Sequence, residues 1–177
     1  PMSYPEKQPD GTVKKVNRIP WLVDRLKSFG FDAVINIGGD GSQAISQAMF
    51  EEGMPVIGVP KTIDNDLSST DFTFGFQTAV QTASDSFDRL VTTASSHHRV
   101  MIMEVMGRDA GWISLYTAIS GGAEICLIPE IPYDLSVIVE KIKSRYNKGR
   151  GFVNIVIAEG AKAKDGTITA SQGEEGR

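Results

Sequence analysis

Three carboxylates in two loops, Asp40, Asp64 and Asp66, and one guanidinium, Arg108, are the side chains whose types and settings could do chemistry. Asp40 lies inside Gly38-Gly39-Asp40-Gly41-Ser42, directly after the β-type run Ala33 to Ile37 and before a helical pattern from Gln43. A glycine turn between strand and helix lets backbone N–H groups come close to an anion. A carboxylate beside a phosphate repels it unless a cation lies between them, so Asp40 in this turn suggests a magnesium nucleotide. The second loop reads Lys61-Thr62-Ile63-Asp64-Asn65-Asp66. Phosphoryl transfer needs a carboxylate-held metal and a second carboxylate to accept the proton of an attacking hydroxyl. Asp40 suits the metal and Asp64 the proton. Each acid taken singly also reads as a helix cap or turn former, and Asn65 and Asp66 as residues that orient the loop or bind metal through water.

Arg108 follows Gly107 at the end of the β-type run Val100 to Val105, and its guanidinium matches phosphate oxygens in pairs. Arg99 precedes the same run, about 20 Å away at ~3.3 Å per residue. One ligand cannot easily engage both from a single molecule, so Arg99 is either a solvated charge or reaches a neighbouring subunit. His97 and His98 have too few companions for a metal site and read as surface histidines. Cys126, the single cysteine, sits in the apolar run Ile125 to Ile128 and reads as a buried thiol rather than a nucleophile.

The elements that must hold these groups follow from periodicity. Pro20 is placed like a first-turn proline, with Leu22, Leu26 and Phe29 at helical spacing and Gly30 as a stop. Ile45, Ala48 and Met49 mark a second helix ended by Gly53, and Phe76, Val80, Ala83, Phe87, Leu90 and Ala94 a long third. Trp112 to Ile119 and Leu135 to Tyr146 complete the helices. Strands are expected at Ala33 to Ile37, Met54 to Pro60, Val100 to Val105, Glu124 to Ile128 and Phe152 to Ala158. Alternation of strand and helix implies an α/β fold of parallel sheets with helices on both faces. Pro1 to Arg18 reads as a surface loop and Gly160 to Arg177 as a mobile loop or end. In such a fold ligands collect at the carboxyl ends of strands. GGDGS, KTIDND, Met106-Gly107-Arg108, Pro129-Glu130 and Glu159 all fall there.

The totals narrow the classes. A chain of 177 residues holds one domain or two small ones. A formal charge of -4 without a basic block argues against nucleic acid or an anionic membrane as the main partner. No apolar run reaches the roughly 18 residues of a membrane helix, and the polar start is unlike a signal peptide. These features lead us to expect a soluble, cytoplasmic protein. Because the chain starts with Pro1 and stops in a polar tail, it also reads as a piece of something longer.

Taken in order, GGDGS at Gly38 to Ser42, PKTIDND at Pro60 to Asp66, FGFQTA at Phe74 to Ala79, EVMGRDAGWIS at Glu104 to Ser114, PE at Pro129-Glu130 and AEGA at Ala158 to Ala161 closely resemble the phosphofructokinase family. The matches run from about Asp32 to Ala161, and an ordered set is far more specific than any one motif. The resemblance implies a Rossmann-like phosphofructokinase fold, here incomplete at both ends. Residues 1–75 would form part of the phosphoryl-donor lobe and 76–177 part of the sugar-phosphate lobe. It implies 6-phosphofructokinase chemistry, with the 1-hydroxyl of fructose 6-phosphate attacking a terminal phosphoryl group to give fructose 1,6-bisphosphate in glycolysis.

By the same resemblance Asp64 would be the general base, acting with Thr62 and Arg108, and Asp40 the magnesium carboxylate. Gly39, Asp40, Gly41, Ser42 and Lys61 would line the donor. Thr62, Ile63, Asp64, Met106, Gly107, Arg108 and Glu159 would hold the sugar phosphate, with Arg99 reaching the site of an adjacent subunit in a homo-oligomer. In the family, glycine at position 41 leaves room for the α-phosphate of ATP, whereas lysine at position 61 accompanies pyrophosphate use. Gly41 with Lys61 looks like the mixed-substrate subgroup, and the steric ground favours ATP. The alternatives are a pyrophosphate-dependent enzyme and a catalytically silent nucleotide or sugar-phosphate sensor. Diacylglycerol and NAD kinases share GGDG but leave KTIDND and MGR unexplained. The family's first glycine-rich turn and its later basic residues are absent, so the piece alone is expected to turn over poorly.

Overall fold

The computed structural model describes residues 3–7 and 12–166. They form two compact units, the first running to Thr62 and including Leu67–Thr70, the second comprising Ile63–Asp66 and the described residues from Asp71 onward. Ile63 packs against Phe76, Val80, Ala83 and Ile113, which draws the loop after Thr62 into the second core.

In the first unit β1 (Ser3–Lys7) and β2 (Val13–Asn17) pair antiparallel. This overturns the surface-loop expectation for Pro1 to Arg18. The stretch VKKVN carries no apolar face that would announce a strand, and backbone pairing supplies the order instead. Then come α1 (Ile19–Ser28), β3 (Val34–Gly38), α2 (Asp40–Glu51) and β4 (Val56–Thr62). The strands β3 and β4 run parallel, Val34 opposite Val56 and Gly38 opposite Pro60. Ile19, Val23, Met49 and Met54 form the core, with Leu22, Leu26, Val34, Ile45 and Val56 packed on it. Phe29 instead caps α1 and lies outside, where Arg25 stacks on its ring.

The second unit holds β5 (Phe74–Gly75), α3 (Phe76–His97), β6 (Val100–Val105), α4 (Trp112–Gly121), β7 (Ile125–Leu127), α5 (Leu135–Asn147) and β8 (Val153–Ala158). Its parallel sheet has the order β6-β8-β7. Phe87 of α3 is fully buried and lies where a side chain on Gly121 of α4 would be. That glycine lets the two helices close over Val156 and Ala118.

Among the described residues, one face of the first sheet is open. Ile35, Ile37 and Ile57 are 70%, 62% and 64% exposed, on the side of β3 and β4 opposite Val34 and Val56. In the second sheet Ile102 of the edge strand is likewise exposed, while the central strand β8 is buried almost throughout. The segment after Ala161 is described only to Gly166, where Tyr133 pairs with Ala163 in an isolated bridge; the rest of the expected tail lies outside the described residues. No helix among the described residues is long and apolar enough to cross a membrane.

Candidate functional site

Gly39 is the N-cap of α2, extended at φ -82° and ψ -165°, and its carbonyl accepts from the N–H groups of Ser42 and Gln43, both at 3.0 Å. Helix α2 begins at Asp40, three residues before the expected start, because the glycine turn is shorter than its sequence suggests. Asp40 is exposed in the first turn, where a carboxylate complements the helix dipole. A side chain on Gly38 would run into Ser42. At Gly41, apart from its chain neighbours and its own helix backbone, no heavy atom lies within 4 Å of the place a Cβ would take. At Gly39 a Cβ would lie 3.5 Å from the Thr62 Cβ and 3.8 Å from the Lys61 carbonyl oxygen. The ends of β3 and β4 thus bring Gly39, Thr62 and the backbone of Lys61 together in one corner.

Three residues that motif reading passed over hold this corner in shape. Asn36, inside β3, donates from Nδ2 to the Ser42 carbonyl (2.9 Å) and to Ser46 Oγ (2.7 Å). Gln43 donates from Nε2 to the carbonyls of Gly38 (2.9 Å) and Val59 (3.0 Å), and Gly58 has no side chain where Gln43 Oε1 lies. The first turn of α2 is therefore tied to both strands. An asparagine within an otherwise apolar strand run was the visible signal.

The second unit carries the remaining candidates. Met106-Gly107-Arg108 follows β6 and Glu159-Gly160 follows β8, its neighbour in the sheet. Glu159 N–H donates to the Val105 carbonyl (2.9 Å) and Gly160 N–H to the Gly107 carbonyl (3.1 Å). Gly107 has φ +144°, and a Cβ there would stand 2.7 Å from the Ala110 carbonyl oxygen; one on Gly160 would strike the backbone of Arg108. Only glycine allows the two loops to lie backbone to backbone. They bring Arg108 and Glu159 to one edge of the sheet, both exposed. Ile63 and Asp64 are half-buried in the same unit.

Arg99 is exposed at the opposite end of β6, its carbonyl accepting from Val153 N–H. The structure does not bring it to Arg108. Glu130 has a structural role, since its Oε1 accepts from Gly111 N–H at 2.8 Å, at the N-cap of α4. His97 and His98 are exposed, as expected, and His98 ends α3 at φ +53° with its carbonyl accepting from the Tyr146 hydroxyl. Cys126 is half-buried rather than fully so; burial raises its thiol pKa, the opposite of an activated nucleophile. Among the described residues no group of three or more His, Cys, Asp or Glu could hold a metal. A site with one or two carboxylates completed by phosphate and water still suits magnesium, and exposed Asp40 beside open Gly41 fits that donor set.

The first unit presents a glycine corner at the start of α2, the second a guanidinium loop at the carboxyl end of β6, both within an α/β fold of parallel strands. The family model described as Phosphofructokinase matches residues 6–175, and the chain belongs to this family. It is 51% identical over 169 residues to the ATP-dependent 6-phosphofructokinase 2 of Clostridium perfringens, covering 96% of this chain and 46% of that protein. It is 52% identical over 145 residues to the ATP-dependent 6-phosphofructokinase of Chloroflexus aurantiacus, covering 82% and 41%. Among solved structures, phosphofructokinase from Saccharomyces cerevisiae superposes with a TM-score of 0.75 at 30% identity, covering 86% of this chain and 24% of that one. A pyrophosphate-dependent phosphofructokinase from Marinobacter aquaeolei gives 0.73 at 30% identity, covering 82% and 41%. The chain spans less than half the length of the curated relatives it matches.

Proposed function

We propose that this chain supplies the donor corner and the general base of an ATP-dependent 6-phosphofructokinase. The observation that carries the proposal is the setting of its motifs. Within each unit the family's polar residues lie at or just after the carboxyl ends of parallel strands, and at Gly38, Gly107 and Gly160 a side chain would clash.

The first unit serves the phosphoryl donor. Gly39, Gly41 and Ser42 lie against the phosphates, Lys61 adds a cation, and Asp40 holds magnesium. Bound there, magnesium neutralises phosphoryl oxygens during transfer. The second unit serves fructose 6-phosphate. Ile63, Met106, Gly107 and Glu159 shape the sugar site, and Arg108 pairs with phosphate oxygens. Asp64 accepts the proton of the 1-hydroxyl as its oxygen bonds to the terminal phosphorus and the bond to the leaving phosphate breaks. Thr62 lies two residues before that carboxylate and helps orient the transferring group. Arg99, remote from Arg108 along β6, serves the site of a neighbouring copy in a homo-oligomer.

ATP is favoured over pyrophosphate by the open space at Gly41 and by the names of the relatives near 50% identity. The test replaces the matching segment of the Clostridium perfringens relative with this chain and assays fructose 6-phosphate phosphorylation. Turnover with ATP is expected; turnover with pyrophosphate alone refutes the donor assignment, and none with either refutes the kinase reading.

A further inference from the structure

Asn65 is one of two non-glycine residues among those described with positive φ, at +54°. Asparagine tolerates this left-handed backbone better than most residues, yet it remains sparsely populated and persists where neighbours enforce it. Here they do. The Oδ1 of Asn65 accepts from Thr73 N–H at 2.9 Å and from Thr73 Oγ1 at 3.4 Å, and its Nδ2 donates to the Asp71 carbonyl at 3.4 Å. Thr73 is only 3% exposed, and its carbonyl accepts from the N–H of Phe76, the fully buried first residue of α3. The asparagine side chain therefore bridges eight residues of sequence, from the loop after β4 to the start of the longest helix.

We infer that Asn65 is a positioning residue for Asp64, a role that rests on Asp64 being the proton acceptor. Asp64 lies between two fixed points. On one side half-buried Ile63 packs against the core of Phe76, Val80, Ala83 and Ile113; on the other Asn65 is hydrogen-bonded to Thr73. A peptide anchored at both neighbours leaves the intervening carboxylate few orientations, and a general base must be held within hydrogen-bond reach of its proton. The unusual backbone at Asn65 turns the chain so that both anchors can be met.

The test uses this chain and does not depend on turnover. Amide exchange at Thr73 and the carboxyl ¹³C signal of Asp64 are followed in Asn65→Ala, Asn65→Gly and Asn65→Asp. Asn65→Ala is expected to speed Thr73 exchange about tenfold or more and to shift the Asp64 signal. Asn65→Gly keeps the backbone conformation available and removes the acceptor, so it should behave like alanine even if Asn65→Ala folds poorly. Asn65→Asp retains an acceptor oxygen and should restore Thr73 protection, the readout its added charge beside Asp64 does not confound. Protection of β8 amides reports that each variant is folded. Unchanged Thr73 exchange and Asp64 signal in Asn65→Gly, or no recovery of Thr73 protection in Asn65→Asp, overturns the inference. The kinase assay above fails or succeeds separately.

Discussion

Apart from its chain neighbours and its own helix backbone, nothing stands within 4 Å of the space a side chain would enter at Gly41, so the proposed donor selectivity can be separated from stability at this residue. Gly41→Asp meets nothing in the first unit and is expected to change unfolding free energy by no more than about 0.5 kcal/mol. Against the triphosphate proposed to bind here the added carboxylate is a like charge at close range. ATP-dependent turnover should fall about 100-fold or more, read by melting and steady-state kinetics side by side. Undiminished ATP use in Gly41→Asp would remove the donor from this corner. Gly107 and Gly160 are different in kind, because there the missing side chains are displaced by the protein's own backbone. Glycines of both sorts look alike in a sequence. Asp40, Gly41 and Arg108 could be singled out there as candidates because glycine and charge after a β-type run have few uses. Asn65 and Asn36 were not, because their value lies in partners distant along the chain.

The elements were legible in proportion to their apolar periodicity. Helix α3 and strand β6 appear where Phe76, Phe87 and Val100 placed them, since the pattern and the core they face coincide. The pair β1–β2 was missed because Val13-Lys14-Lys15-Val16 shows no alternation of apolar and polar residues. Helix α5 has no buried residue and is held by polar contacts, among them its N-cap and the Arg145–Glu124 ion pair at 2.7 Å. Asp134 accepts from the Ser136 hydroxyl at 2.7 Å and its N–H at 2.9 Å, and these bonds, the hydroxyl first, lower its carboxyl pKa. A carboxyl whose pKa is lowered by folding lends stability that is complete above its unfolded value, near 3.9, and lost as pH falls through the lower folded value. First-turn amides of α5 should thus lose exchange protection on acidification below about pH 4, while Asp134→Asn flattens that dependence. An unchanged profile in Asp134→Asn would show that the cap contributes nothing to this helix.

Across the molecule, the expected α/β fold of parallel sheets with helices is present, and among the described residues one face of the first sheet is open. Ile35, Ile37 and Ile57 have the composition of a strand buried on both sides, yet one side is open, and relatives of this chain are more than twice the length it spans. Exposed apolar surface of that kind binds dyes and other surfaces. Taken alone, the chain is expected to enhance anilinonaphthalene sulfonate fluorescence and to self-associate with rising concentration, both reduced in Ile35→Ser/Ile37→Ser. A monodisperse chain with no dye signal would mean those faces are closed. The most direct measurement returns to catalysis: turnover and KM for fructose 6-phosphate of Asp64→Asn, made in the Clostridium perfringens enzyme carrying this chain as its matching segment. The expected result is a turnover loss of about 10²- to 10⁴-fold with KM held within about threefold; undiminished turnover would contradict Asp64 as the base.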